Sequence, residues 1–286
     1  MVKCMTGWIF SLLLLCMLAA CGTVQPSRDG EDVALTPTEK VTAAMEKMAG
    51  AKSMDAVMEM EIEMSVAGES MTMWTAMDMT TFLDPLKLRA EITLDMGDLG
   101  SMETAIYAQS EGECCTMYLY DGASWVAQTV TLEDLERYNA QSGMELYLNG
   151  AVDFMEAGTE ELESGVADKY TGVIPNESLR DVLEASGALD SVNALLGANA
   201  EGLTDLYTAL GDLPVTVWLD QASGYPVRFR MDMSDIMDKL SEKLTAGVID
   251  GMEGSLEIPK MTVIMTYTNL DAATDFEIPA EALNAA

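Results

Sequence analysis

Two hydrophobic periods divide the chain, one of two residues and one near three and a half. In the first, Met58, Met60, Ile62, Met64 and Val66 fall on one side of an extended segment, with Glu59, Glu61 and Glu63 opposite. After the turn Ala67-Gly68-Glu69-Ser70 the pattern returns as Met71, Met73, Thr75, Met77 and Met79. Asp84-Pro85 breaks it, and Leu86, Leu88, Ala90, Ile92, Leu94 and Met96 resume it. Gly97 to Gly100 turns the chain into Met102, Thr104, Ile106 and Ala108, and shorter segments follow at 115–120 and 124–130. Alternation joined by short turns predicts consecutive antiparallel strands with one buried and one wet face.

The helical period appears on both sides of this run. Thr36-Pro37-Thr38-Glu39 offers a cap hydroxyl, a first-turn proline and an acid three residues on. These predict a helix ending at Gly50, with Val41, Ala44, Met45 and Met48 on its apolar face. Between Thr131 and Gly211 the stripes are Leu132, Leu135 and Tyr138, then Leu179, Val182 and Leu183 behind Asn176. Leu189, Val192, Leu195 and Leu196 follow, then Leu203, Leu206 and Leu210, with one strand predicted at Gly165 to Ile174. Helices with a single apolar stripe must pack on something, and the sheet is the available surface.

Val215 to Leu219 and Pro226 to Met233 flank Asp220-Gln221-Ala222-Ser223-Gly224 as a hairpin. Ile236, Met237, Leu240 and Leu244 predict a helix closed by Gly247. Leu256 to Thr268 is the last strand, and its Pro259 suits an edge or a bulge. The fold class expected is α+β, a single domain over residues 36–286 in which strands before and after the helical stretch share one sheet.

The first thirty-five residues obey neither period. Lys3 is the only charge before an apolar run that includes Trp8, Ile9, Phe10 and Leu12 to Leu15, and the run ends in Leu18-Ala19-Ala20-Cys21-Gly22. A short positive region, a short apolar run and small residues at a cleavage point describe a secretory signal over residues 1–20. Leu18 to Cys21 resembles the lipobox of bacterial lipoproteins, which implies diacylglyceryl on Cys21. Two acyl chains give stable anchoring. Residues 21–35 then read as a flexible tether, and the domain is expected on the extracellular face of a bacterial cell membrane.

Composition narrows the chemistry. Acids outnumber bases 48 to 15, for a net charge of −33. Nucleic acid and anionic headgroups are thereby excluded as electrostatic partners, since both need a basic patch. The absence of histidine removes the commonest general base, the usual catalytic triad and most zinc sites. No GxSxG elbow occurs, and Asp95, Asp98 and Glu103 lack the spacing of a calcium loop. No enzyme, no cofactor and no resident metal are expected. Outside the leader and Cys21, the only thiols are Cys114 and Cys115. Strand neighbours point to opposite faces, so one buried and one half-exposed thiol are expected.

Methionine, at 24 residues, supplies the candidate site. Met58-x-Met60, Met71-x-Met73, Met77-x-Met79 and Met231-x-Met233 place paired thioethers on strand faces. Such pairs could hold a soft ion such as Cu(I), or form a pliable apolar lining. Their strand period and their mixture with Ile, Leu and Val favour the lining. The residues expected to line it are Met60, Ile62, Met64, Met73, Met77, Met79, Leu88 and Ile92, with Trp218 and Met231 from the later strands.

The opening helix before long alternating strands, Val217-Trp218-Leu219-Asp220 through Gly224-Tyr225-Pro226-Val227, and the late Ile278-Pro279 resemble the LolA, LolB and LppX lipoprotein-carrier superfamily. The nearest likeness is to the Gram-positive lipoproteins related to them. The resemblance implies a strongly curved antiparallel half-barrel with helices across its concave face and an apolar ligand held between. A chain that is itself lipidated cannot shuttle as LolA does, so an anchored receptor, sensor or lipid-handling accessory is implied. The expected function is that of a membrane-anchored extracellular lipoprotein that binds an apolar or amphiphilic, lipid-like ligand. An acidic protein-interaction module with a filled core, and copper binding through the methionine pairs, stand as alternatives.

Overall fold

The computed structural model describes residues 34–66, 68–111, 114–131, 140–185, 209–247 and 256–285. Thr36–Ala286 forms one compact unit. It opens with α1 (Pro37–Ala49), started by the expected capping box: the Thr36 hydroxyl accepts from the Glu39 amide, and the Glu39 carboxylate accepts from the Thr36 amide at 2.7 Å. Val41, Ala44, Met45 and Met48 are its buried face.

Six strands then follow as a meander: β1 (Ser53–Val66), β2 (Glu69–Leu83), β3 (Leu86–Asp95), β4 (Ser101–Glu111), β5 (Cys114–Tyr120) and β6 (Trp125–Val130). Next come α2 (Ala140–Asn149), β7 (Val152–Leu162), β8 (Gly165–Ile174) and α3 (Asn176–Ala185). The chain continues through β9 (Leu213–Asp220), β10 (Pro226–Asp232), α4 (Ser234–Gly247), β11 (Leu256–Thr268) and the short α5 (Ala280–Leu283).

All eleven strands form one sheet in the order β6-β5-β4-β3-β2-β1-β11-β10-β9-β8-β7. Each pairing is antiparallel, and β6 and β7 are the two unjoined edges. Laid flat at about 4.8 Å per strand, such a sheet would be roughly 50 Å across. Yet one continuous core includes Met79, Leu88, Ile106 and Met117 from one wing and Tyr170, Val217 and Phe229 from the other. The same core takes Met48, Leu148, Leu179 and Leu240 from α1 to α4. The sheet is therefore curled into an open half-barrel, with the helices on its concave side.

Two lysines fix α1 across the later strands. Lys40 pairs with Glu156 of β7 at 2.7 Å, and its ammonium lies over the Tyr170 ring of β8. Lys47 donates to the Ser223 carbonyl and sits 4.4 Å from the Tyr225 ring centre, at the β9–β10 turn.

One expectation narrows and one strand is new. Pro259 lies in a central strand, because β11 runs between β1 and β10. The bulge alternative holds: pairing shifts between Lys260–Glu63 and Glu257–Ser65, so proline's missing donor falls where the ladder is interrupted. β7 is an unforeseen strand. Its pairing shifts twice and Met155 is 65% exposed, so no regular buried stripe marked it in the sequence. The predicted helix at Leu132 to Tyr138 and the stripes from Leu189 to Leu206 lie outside the described residues, while Leu210 is buried in the core.

On the convex side, the C-terminal segment crosses β2 to β6. Phe276, Ile278 and Ala282 pack with Tyr107 and Tyr118, and Phe276 meets the Tyr107 ring edge-on at 5.9 Å. Lys87 ties the segment down through Asp275 and the Phe276 carbonyl. Cys115 is buried and Cys114 exposed, in accord with their adjacent strand positions.

Candidate functional site: the inner face of the half-barrel

Cross-strand register arranges the concave side into rows. Nearest to α1's end, Ala56 faces Met79 and Tyr267, Met79 faces Ala90, and Ala90 faces Ile106. Every member of this row is buried. Two residues further along β1, the row reads Ile92, Met77, Met58, Met265 and Phe229. Its first four members are half-buried and lean on the core. The next contains Leu94, Thr75, Met60, Val263, Met231 and Val215. Beyond it stand Met73, Ile62 and Met261, and then Met71 beside Met64, all half-buried. Met102, across from Leu94, is 46% exposed.

The inner face of β1–β4 thus grades from a packed end to an open one. Its inward positions, from Met54 to Met64, Met71 to Thr81, Leu86 to Leu94 and Met102 to Ser110, carry no charged side chain. The acids of the same strands point outward. Lys260 of β11 bridges Glu61 at 2.8 Å and Glu63 at 3.2 Å, and those carboxylates hold its ammonium above the usual lysine range. This pairing also resists a register slip, since shifting β1 by one residue would turn the glutamates into the apolar interior.

Nine of the ten expected lining residues share this face: Met60, Ile62, Met64, Met73, Met77, Met79, Leu88, Ile92 and Met231. Met79, Leu88 and Met231 are fully buried and belong to the core rather than to an accessible surface. Met60, Ile62, Met64, Met73, Met77 and Ile92 are the half-buried set.

Trp218 is a correction. Val215, Val217 and Leu219 take the inner side of β9, so Trp218 points to the convex side beside Ala167, Val227 and Leu162. There its indole donates to Glu160 at 2.8 Å, and Lys169 and Arg228 lie 5.0 and 5.8 Å from its ring. The aliphatic parity of Val-Thr-Val-Trp-Leu was the available signal. Sequence reasoning also missed Met261, Val263 and Met265. Their membership depends on β11 crossing the chain to pair with β1, which no local pattern encodes.

An open antiparallel half-barrel whose inner face is uncharged and methionine-rich over β1–β4 is the class that this geometry defines. Residues 36–157 match the model of DUF6612, a family of unknown function. Among solved structures, the chain is similar to lipoprotein LppX of Mycobacterium tuberculosis, at 15% identity over 84% of this chain and 98% of that one, with a TM-score of 0.42. It is also similar to LprF of Mycobacterium bovis, at 14% identity over 86% and 97% of the two chains, with a TM-score of 0.47. No curated protein sequence matches. Among the described residues, no helix is long and apolar enough to cross a membrane.

Proposed function

We propose that this chain is a membrane-anchored lipoprotein whose domain binds an apolar or amphiphilic, lipid-like ligand against the open end of the inner face. The observation that carries this reading is the half-buried field of Met60, Ile62, Met64, Met71 and Met73, continuous with the core and uncharged at every inward position of β1–β4. Acyl chains laid on it would gain about 25 cal/mol per Å² of apolar surface removed from water. Methionine's unbranched thioether adapts to chains of differing shape, so the face suits a class of ligands rather than one molecule. Lipidation at Cys21 after removal of residues 1–20 would hold the domain at the extracellular face of the membrane. The full chain's net charge of −33, carried almost wholly by the mature part, would keep the convex surface off anionic headgroups. The protein is read as a binding protein, not an enzyme.

Native mass spectrometry of the chain from Gly22 onward, followed by organic extraction, tests this. A stoichiometric lipid or other apolar molecule is expected. An unliganded mass that takes up no added lipid would leave an acidic interaction module as the better account.

A further inference from the structure

One row of the inner face sets methionines side by side on three strands. Met77 of β2, Met58 of β1 and Met265 of β11 are direct cross-strand partners, and all three are half-buried. We infer that these three thioethers form a binding site for a soft monovalent cation of the Cu(I) or Ag(I) kind.

The geometry favours the row over methionine pairs along one strand. Residues two apart on a strand are separated by roughly 6.7 Å, whereas direct cross-strand partners have Cβ atoms about 4.5–5.5 Å apart. The row lies on the concave side of a curled sheet, where side chains from neighbouring strands converge. Each thioether is a soft, neutral ligand that selects Cu(I) over harder ions. Ile92 and Phe229 continue the row on either side with apolar side chains. The charge of a bound cation is offset from outside: Glu59 and Asp78 point to the convex face of the same strands. The chain's overall negative charge further concentrates cations around it. The site stands on this alignment and does not depend on lipid binding.

The test uses the chain from Gly22 onward, which keeps the whole compact unit, with Cys114→Ser to remove the exposed thiol. Its methionine methyl groups carry carbon-13, and it is titrated with silver nitrate, then with Cu(I) against a chromophoric Cu(I) chelator. The methyl resonances of Met58, Met77 and Met265 are expected to shift together and saturate at one equivalent. Met58→Leu/Met77→Leu/Met265→Leu keeps side-chain volume and should abolish that uptake while leaving cooperative urea unfolding in place. Single leucine variants should each weaken it at least tenfold, since loss of an outer partner of a metal ligand already costs about 10–100-fold. Absence of a methyl response, a response confined to other methionines, or silver uptake that survives the triple change would each overturn the site. If the triple variant does not unfold cooperatively, the methyl shifts of the parent chain decide.

Discussion

The two ends of strands β1–β4 carry nearly the same residue types on their inner face and use them differently. Near Ser53, Met54 and Met79 stand among alanines at 56, 90 and 108, and all are within 5% of full burial. Near Val66, Met60, Met64 and Met73 repeat the same side chain at the same period, yet remain half-buried. Composition is not what separates them. α1 and its joint to β1 close the first end, and Lys52 and Leu83 tie that joint to Asp271 and to the end of β2. One stretch of methionines thus serves as filler and another as surface, and the neighbours decide which.

The largest effect expected from breaking this contrast is on stability. Leu88→Ala at the packed end should cost about 2–5 kcal/mol, the range for buried large-to-small changes, whereas Met60→Ala at the open end should cost much less. Urea unfolding of both variants measures the difference, and equal costs would mean that the two ends are packed alike. The next effect is on binding. Ile62→Asp puts a charge into the apolar field and should reduce lipid uptake to background, with only a modest shift of the unfolding midpoint.

A smaller effect comes from alkali. Burial, then the hydrogen bond to Glu91, pushes the Tyr107 hydroxyl up to about 12, and burial alone raises Tyr267 at the packed end. A phenol whose folded pKa lies above its unfolded value near 10 contributes stability that is complete below pH 10 and is lost as pH rises through the folded value. Unfolding measured from pH 8 to 11.5 should therefore show stability falling only above about 10. Tyr107→Phe should flatten part of that fall, while variants at the open end should leave it unchanged. The smallest effect is expected from Met60→Leu/Met64→Leu/Met73→Leu. Each change conserves volume and costs less than about 1.5 kcal/mol, and lipid uptake should survive. Loss of uptake in this variant would assign the thioethers themselves a role in holding the ligand.

Strand-period patterning made the meander legible from β1 to β6, because each strand has one wet and one buried face and its turns are short. The helix caps at Thr36 and the β9–β10 hairpin were legible for the same local reason. What escaped was whatever depends on distant pairing. Trp218 sits one residue out of the aliphatic phase of Val215, Val217 and Leu219, a phase that becomes decisive once the strands on either side show that it faces inward. β7, interrupted by two shifts of pairing, lost the period that would have announced it. Parity could nominate Met60 and Met64 for the inner face, but how deeply each is covered follows from α1, which packs from the other end of the chain's fold.

β11 joins the two wings, yet it is the last strand to be made. Until residues 256–268 emerge, β1 and β10 have no common neighbour. A chain appearing amino-terminus first, from a ribosome or through a membrane, therefore carries two hairpin stacks not yet joined by strand pairing until its last strand emerges. The methionine face of β1 stays without its partner row of Val263 and Met265 throughout that time. Joining of the sheet therefore comes late, and a truncation before Leu256 leaves two half-sheets held to one curve only by α1 and the core they share.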